Sequence, residues 1–399
     1  MSPGILYISY DGMLEPLGQS QVLAYLEKLA PGRRVHLLSF EKAADWRDRG
    51  RREAVRQRLS DAGIGWHPQR YHKRPTAPAT AYDIATGSAR AVAIARRHRL
   101  GIVHARSYVA ALIALAVKRV TGARLLFDMR GFWADERVDG ELWPAGGLLY
   151  RTAKALERRL LLAADHVVTL THASKAELGT FDYLQGRTPP ISVIPTCADL
   201  DRFAIHGPPQ SEPFTLGYVG SVGTWYLLDE MLQCFAMLRR MKPDARLLFV
   251  NRDEQRRIRE RVSVLGIDPS AVEIISADHR DMPRHIGRMS AGIALIKPVY
   301  SKIASAPTKL AEYLGCGVPC LGNAGVGDMV ETLEGKRVGI ALAGFSTEEM
   351  GKGVRRLLDL VDENGLQQRC REAALHLFSL DAGVASYAAI YDRHSEGSA

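Results

Sequence analysis

Short apolar runs alternate with helical periodicities along nearly the whole chain, and this pattern admits few folds other than a parallel α/β architecture. Residues 4–10, 35–40, 102–105, 125–128, 166–170 and 192–194 read as one series of strands. The first is followed by an amphipathic helix with Val22, Tyr25, Leu26 and Leu29 on one face. The series stops at residues 204–213 (AIHGPPQSEP), whose Pro and Gly content and low apolar content suit an interdomain linker. A second series then runs through 215–219, 247–251, 272–275, 292–296, 319–321 and 339–341, closed by helical patterns at 347–361 and 366–377. The expectation is two doubly wound, Rossmann-like parallel-sheet domains, 1–205 and 206–379.

Ligands of open parallel sheets bind outside the carboxyl ends of the strands, so the residues that follow each apolar run are the first to inspect. They are polar or glycine-rich throughout. Gly12, Gly18 and Gln19 follow the first strand, and His104 and Arg106 a middle one. Asp128, Arg130, Asp135 and Glu136 follow the next. In the second series Gly220 and Ser221, then Asn251, then Lys297 come after successive strands. Both domains are expected to turn these ends toward a shared central cleft.

Residues 305–328 (SAPTKLAEYLGCGVPCLGNAGVGD) are the most informative stretch. Pro307 reads as a first-turn proline, with Ser305 or Thr308 as N-cap and Gly315 or Gly317 as the left-handed stop of a helix two to three turns long. Lys309 and Glu312, three apart, share one face near the positive end, where free N–H groups favour an anion. A phosphate fits there, with Glu312 as acceptor for sugar hydroxyls and the Gly325–Asp328 turn closing the other side. This is the layout of a nucleotide-diphosphate site.

The segment resembles the donor motif of retaining glycosyltransferases of family 4, in the branch with a Pro-Thr-Lys-x-x-Glu-Tyr-Leu pattern. Asp11–Gln21, Asp128–Glu136, Ala164-Asp165, Val193–Thr196 with Asp199–Phe203, and Gly217–Tyr226 agree with that family in order. The resemblance implies a GT-B fold, with the tail 380–399, carrying Tyr387 and Tyr391, packing back on an N-terminal acceptor domain. It also implies transfer of a sugar from a UDP- or GDP-sugar with retention, no metal and no separate cofactor. In these terms Gly12, Gly18, Gln19, Gly220, Ser221, Asn251, Lys297, Thr308, Lys309, Leu310 and Glu312 fall to the donor. His104, Arg106, Asp128, Arg130 and Glu136 fall to the chemistry or the acceptor. The chain departs from the common pattern at three places. Ala304 stands where a first glutamate is usual. Gly220-Ser221 with Tyr226 replaces a Gly-Arg…Lys phosphate grip, a loss Lys309 compensates. Arg106 stands where a histidine is common.

Charge narrows the partners. Of the net +9, residues 1–200 carry the whole excess, 29 Lys/Arg against 19 Asp/Glu, and the Arg-rich helix expected at 46–59 carries much of it. An anionic membrane surface or an acidic, polyprenyl-diphosphate-linked saccharide acceptor suits such a half; a solvated helix face is the plain alternative. Trp133, Trp143 and the Gly146–Leu149 stretch add apolar material. No nucleic-acid-binding motif accompanies the charge, so nucleic acid is not expected. The five cysteines, odd in number and scattered, read as reduced thiols, and Cys316 and Cys320 alone do not make a zinc site. With no signal sequence and no long apolar run, the expected location is cytoplasmic, or peripheral on the inner membrane face, in assembly of a bacterial-type surface polysaccharide. The rivals are a GT-B-like nucleotide-sugar epimerase and a non-catalytic nucleotide-sugar-binding subunit. An NAD-linked Rossmann enzyme is disfavoured, because Gly217, Gly220 and Gly223 lack the dinucleotide spacing.

Overall fold

The structure, a computed structural model, describes residues 4–207 and 213–396. Two compact units emerge: one ends at Ile194 and takes the chain back from Asp381, the other runs Pro195–Leu380. Residues 195–205, assigned above to the first domain, thus belong to the second unit, where Ala198, Leu200 and Phe203 join its core. The middle of the expected linker, 208–212, lies outside the described residues.

The first unit holds a seven-stranded sheet of β1 (Gly4–Ser9), β2 (Val35–Glu41), β3 (Gly65–Arg70), β4 (Leu100–Arg106), β5 (Arg124–Asp128), β6 (His166–Thr169) and β7 (Ile191–Val193). Its order is β3-β2-β1-β4-β5-β6-β7, parallel throughout. β3 has no counterpart among the expected strands. Its sequence, GWHPQR, is polar and half-buried because it forms the sheet edge, where Pro68 is tolerated. The expected Arg-rich helix at 46–59 is two pieces, Ala43–Trp46 and Arg49–Asp61, the second capped by Asp48 accepting from the Arg51 amide.

The second unit holds a six-stranded parallel sheet of β8 (Thr215–Val219), β9 (Arg246–Val250), β10 (Val272–Ile275), β11 (Ala291–Ile293), β12 (Cys320–Asn323) and β13 (Gly339–Leu342), in the order β10-β9-β8-β11-β12-β13. The inner strands of both units read as near-continuous apolar runs because both faces are covered, whereas the edge strands β3, β7 and β10 are only partly buried. The helices Thr347–Val361 and Leu366–Phe378 fall within one residue of expectation. In each sheet the order reverses direction at one point, between β1 and β4 and between β8 and β11, so connections leave to opposite sides there and open a crevice at the strand ends. Among the described residues, no helix is long and apolar enough to cross a membrane.

Candidate functional site

In the second unit the crevice is furnished by the loop after β8 and by the helix Thr308–Gly315. That helix is held against the sheet by Tyr313, whose hydroxyl accepts from the Val219 amide at 2.8 Å. Gly292 in β11 makes the approach possible, since a Cβ there would lie 2.5 Å from the Tyr313 ring. Pro307 is the N-cap itself rather than a first-turn residue, and no side chain caps the helix. The first-turn amides of a helix have no intrahelical acceptor, so this end is electropositive. At the other end Gly317, with φ 78°, supplies the left-handed turn.

Lys309 is 7% exposed. Its ammonium donates to Tyr218 Oη at 2.7 Å and lies 3.9 Å from the Tyr218 ring centroid and 3.6 Å from that of Tyr226. A Cβ on Gly220 would stand 3.5 Å from Nζ, and Gly220 has φ 111°, a conformation costly for other residues. The lysine therefore reaches the loop after β8, where the chain itself places no Arg or Lys. Burial lowers its pKa from 10.5 to about 7, against the pull of Glu312, Cys320 and Glu254. Glu312 is buried on the same helix face.

The loop after β8 is tied down by a residue the sequence reading passed over, Glu254. Its carboxylate accepts from Ser221 Oγ (3.0 Å), the Val222 amide (3.2 Å) and Asn251 Nδ2 (2.8 Å). Burial raises the carboxyl pKa, but the bonds from Asn251, Ser221 and Val222 outweigh it and hold it below the usual value. Asn251, expected to read a base, also donates to the Gly220 carbonyl at 2.9 Å and accepts from the Glu254 amide at 2.7 Å. It is thus a clamp for the loop after β8. The signal for Glu254 was the polar run Asn251–Gln255 directly after β9.

The remaining donor-side expectations divide. Leu310 is a core residue whose amide bonds to Pro307 O at 3.0 Å. Thr308 opens the helix, half-buried. Lys302, weighed beside Lys297 as added charge, lays its ammonium 3.6 Å from the Trp225 ring centroid, and its carbonyl accepts from the Gly327 amide, fixing the glycine-rich turn. Lys297 is half-buried, and its amide donates to the Trp225 carbonyl. Ala304 is buried. Cys316 and Cys320 are buried thiols pushed up to about 12 by burial.

In the first unit the residues after β1, β4 and β5 form an ionic cluster. Asp128 Oδ2 lies 3.9 Å from Arg130 Nη1 and 4.0 Å from Arg106 Nη1, and accepts from Tyr387 Oη at 3.1 Å. Arg106 Nε lies 3.5 Å from the half-exposed Asp11. Neither Nε nor Nη1 of Arg106 makes a hydrogen bond to a described residue. Arg130 holds φ 63°, a strained value for a side chain this large. Burial raises the Asp128 pKa, but Arg130, His104 and Arg106 together lower it further, so it is ionised. His104, 1% exposed, shares a 2.6 Å hydrogen bond with Tyr391 Oη and packs against the rings of Tyr7 and Tyr387. Burial lowers its pKa, so the ring is neutral and acts as a strut under Asp128.

Gly12 and Gly18 are set by packing. A Cβ on Gly18 would overlap the Gly12 carbonyl, and one on Gly12 would lie 2.8 Å from Glu41. Buried Glu41 accepts from the Met13 and Leu14 amides and from Ser39, which fixes this loop. Gln19 opens a π-helical turn, Gln19–Leu23, a local form often found at functional sites. Glu136 lies half-buried in the helix Trp133–Asp139, whose first turn also holds Asp135; the latter pairs with Lys154 at 2.9 Å and Tyr150.

Residues 20–197 match the family described as glycosyl transferase 4-like domain. A comparison with curated proteins gave no match. Solved structures of the same architecture include a glycosyltransferase from Rickettsia africae (15% identity, 98% of each chain covered, TM-score 0.70). Sucrose-phosphate synthase from Thermosynechococcus elongatus is 15% identical over 99% of this chain and 100% of its own, with TM-score 0.72. Anabaena HepE, solved in complex with UDP and glucose, is 13% identical over 98% and 99%, with TM-score 0.65. The chain has the GT-B fold, and its residues 20–197 are similar to the glycosyl transferase 4-like domain.

Proposed function

We propose that the protein is a retaining glycosyltransferase that moves a sugar from a UDP- or GDP-sugar to a saccharide acceptor, lipid-linked, in the building of a bacterial-type cell-surface glycan. The observation that carries this is the buried Lys309 ammonium, delivered by a helix N-terminus to the loop after β8 with Glu312 beside it. Departure of a nucleoside diphosphate puts negative charge on the leaving phosphate. A cation and first-turn amides already oriented in a dry site stabilise that charge without reorganisation. Glu312 accepts from donor sugar or ribose hydroxyls. Metal is not required in this reading, since Lys309 and the amides meet the charge. The UDP-bound relative of the same fold supports the donor class. In the first unit the ionic cluster of Arg106, Asp128 and Arg130, braced by His104, is assigned to the acceptor or the transferring sugar, with Glu136 nearby in sequence as a hydroxyl acceptor.

The test is release of UDP or GDP from a panel of nucleotide sugars, with and without polyprenyl-diphosphate-linked saccharides. Acceptor-dependent release with α-to-α or β-to-β outcome supports the reading. Interconversion of the sugar nucleotide without acceptor would instead establish an epimerase. The buried, apolar Ala304 at the place of the usual carboxylate favours a second reading, a non-catalytic nucleotide-sugar-binding subunit; binding without turnover on any pair would establish that one.

A further inference from the structure

We propose that the first unit binds one transition-metal ion of the zinc type through His36, His67 and His98. The three imidazoles come from three separate elements. His36 is the second residue of β2, His67 the third of β3, and His98 the last of the helix Thr76–His98. Register brings them together: Gly65 pairs with His36 and His67 with Leu38, so the two strand histidines point to one face of the sheet, diagonal to each other. Each ring offers a nitrogen, and the three lie within 4.8 Å of one another. His36 Nδ1 and His67 Nε2 are already 3.0 Å apart, and the His36 and His98 rings 4.0 Å between centroids. Tetrahedral zinc at about 2.0–2.1 Å from each nitrogen needs nitrogens about 3.3 Å apart, so small side-chain rotations close the set.

The surroundings fit this use. Gly65 leaves room for the His36 ring, since a Cβ there would lie 2.5 Å from Nδ1. The Arg34, Arg90 and Arg97 charges near the cluster oppose any dication, so binding rests on the three imidazole nitrogens rather than on charge. The rings are half-buried, leaving a fourth position to water. The site lies at the amino ends of β2 and β4, opposite the strand ends that carry Asp11, Arg106 and Asp128, so the ion pins edge strand β3 and the helix end and takes no part in sugar transfer.

The experiment uses untagged full-length protein freed of metal by chelator and titrated with Zn²⁺ and Co²⁺, with metal content measured after gel filtration. The expected result is one ion per chain, a visible Co²⁺ spectrum, a raised melting temperature, and affinity at least about tenfold weaker in His98→Gln, with His376→Gln as unaffected surface control. If His36→Gln fails to fold, protection of the three rings from carbethoxylation by Zn²⁺ replaces it. Absence of stoichiometric uptake, or uptake unchanged in His36→Gln/His98→Gln, would overturn the proposal.

Discussion

Lys309 and Tyr218 lie 91 positions apart in sequence, yet the ammonium donates to the phenol oxygen at 2.7 Å, and the phenol in turn donates to the Ser221 carbonyl. One hydrogen-bonded line thus joins the helix start to the loop after β8, the two elements that would enclose a diphosphate.

Tyr218→Phe removes the acceptor for Lys309 and the bond to Ser221 while keeping the ring. Loss of a hydrogen bond to a charged group is worth about 1.5–3 kcal/mol. Donor KM is expected to rise roughly tenfold to a hundredfold with a smaller change in kcat, because the lysine loses its position more than its charge. Steady-state kinetics over donor concentration check this; an unchanged KM contradicts it.

The pH dependence of nucleotide binding carries a definite sign. A diphosphate favours protonated Lys309, whose pKa in the free protein is lowered to about 7, so binding takes up a proton and affinity falls as pH rises above 7. The slope approaches about tenfold per pH unit. Below about 6 the phosphate itself loses charge, so affinity peaks between those values. Calorimetry in buffers of different ionisation enthalpy reads the proton uptake directly.

Glu254→Ala leaves Ser221 Oγ, the Val222 amide and Asn251 Nδ2 without their acceptor. A loss of about 1–3 kcal/mol in stability is expected, with weaker nucleotide binding. Urea denaturation with and without UDP separates the two effects.

Asp128→Asn removes the anion facing Arg106 and Arg130 in a buried cluster, at an expected cost of about 3–5 kcal/mol. In the wild type the Asp128 pKa is depressed, so its contribution is present above the unfolded value of about 3.9 and is lost as pH falls through the lower folded value. Acid denaturation of the variant should therefore be shallower below pH 4. His104→Gln should cost stability without a shift in the pH–rate profile near and above neutrality, because burial lowers the pKa of the ring.

The strands that are buried on both faces were legible in the sequence, because a continuous apolar run bounded by turn residues has few other readings. β3 was not, since an edge strand needs only one half-buried face and its Trp, His, Pro and Gln carry no strand signal. The position of Lys309 at a helix start was legible from Pro307 and Gly317. Its burial between Tyr218 and Tyr226 was not, because the contact joins strand, loop and helix far apart in sequence. The same limit hid the clamp role of Asn251, which depends on where Glu254 and the Gly220 carbonyl meet it.

The most direct measurement is calorimetric titration with UDP and with GDP, each with EDTA present, of the wild type and of Lys309→Ala. The account predicts metal-independent binding of one nucleotide over the other, weakened roughly a hundredfold or more in Lys309→Ala, whose fold is checked by its melting curve. Binding of neither nucleotide, or equal binding by wild type and variant, would contradict the phosphate role of Lys309.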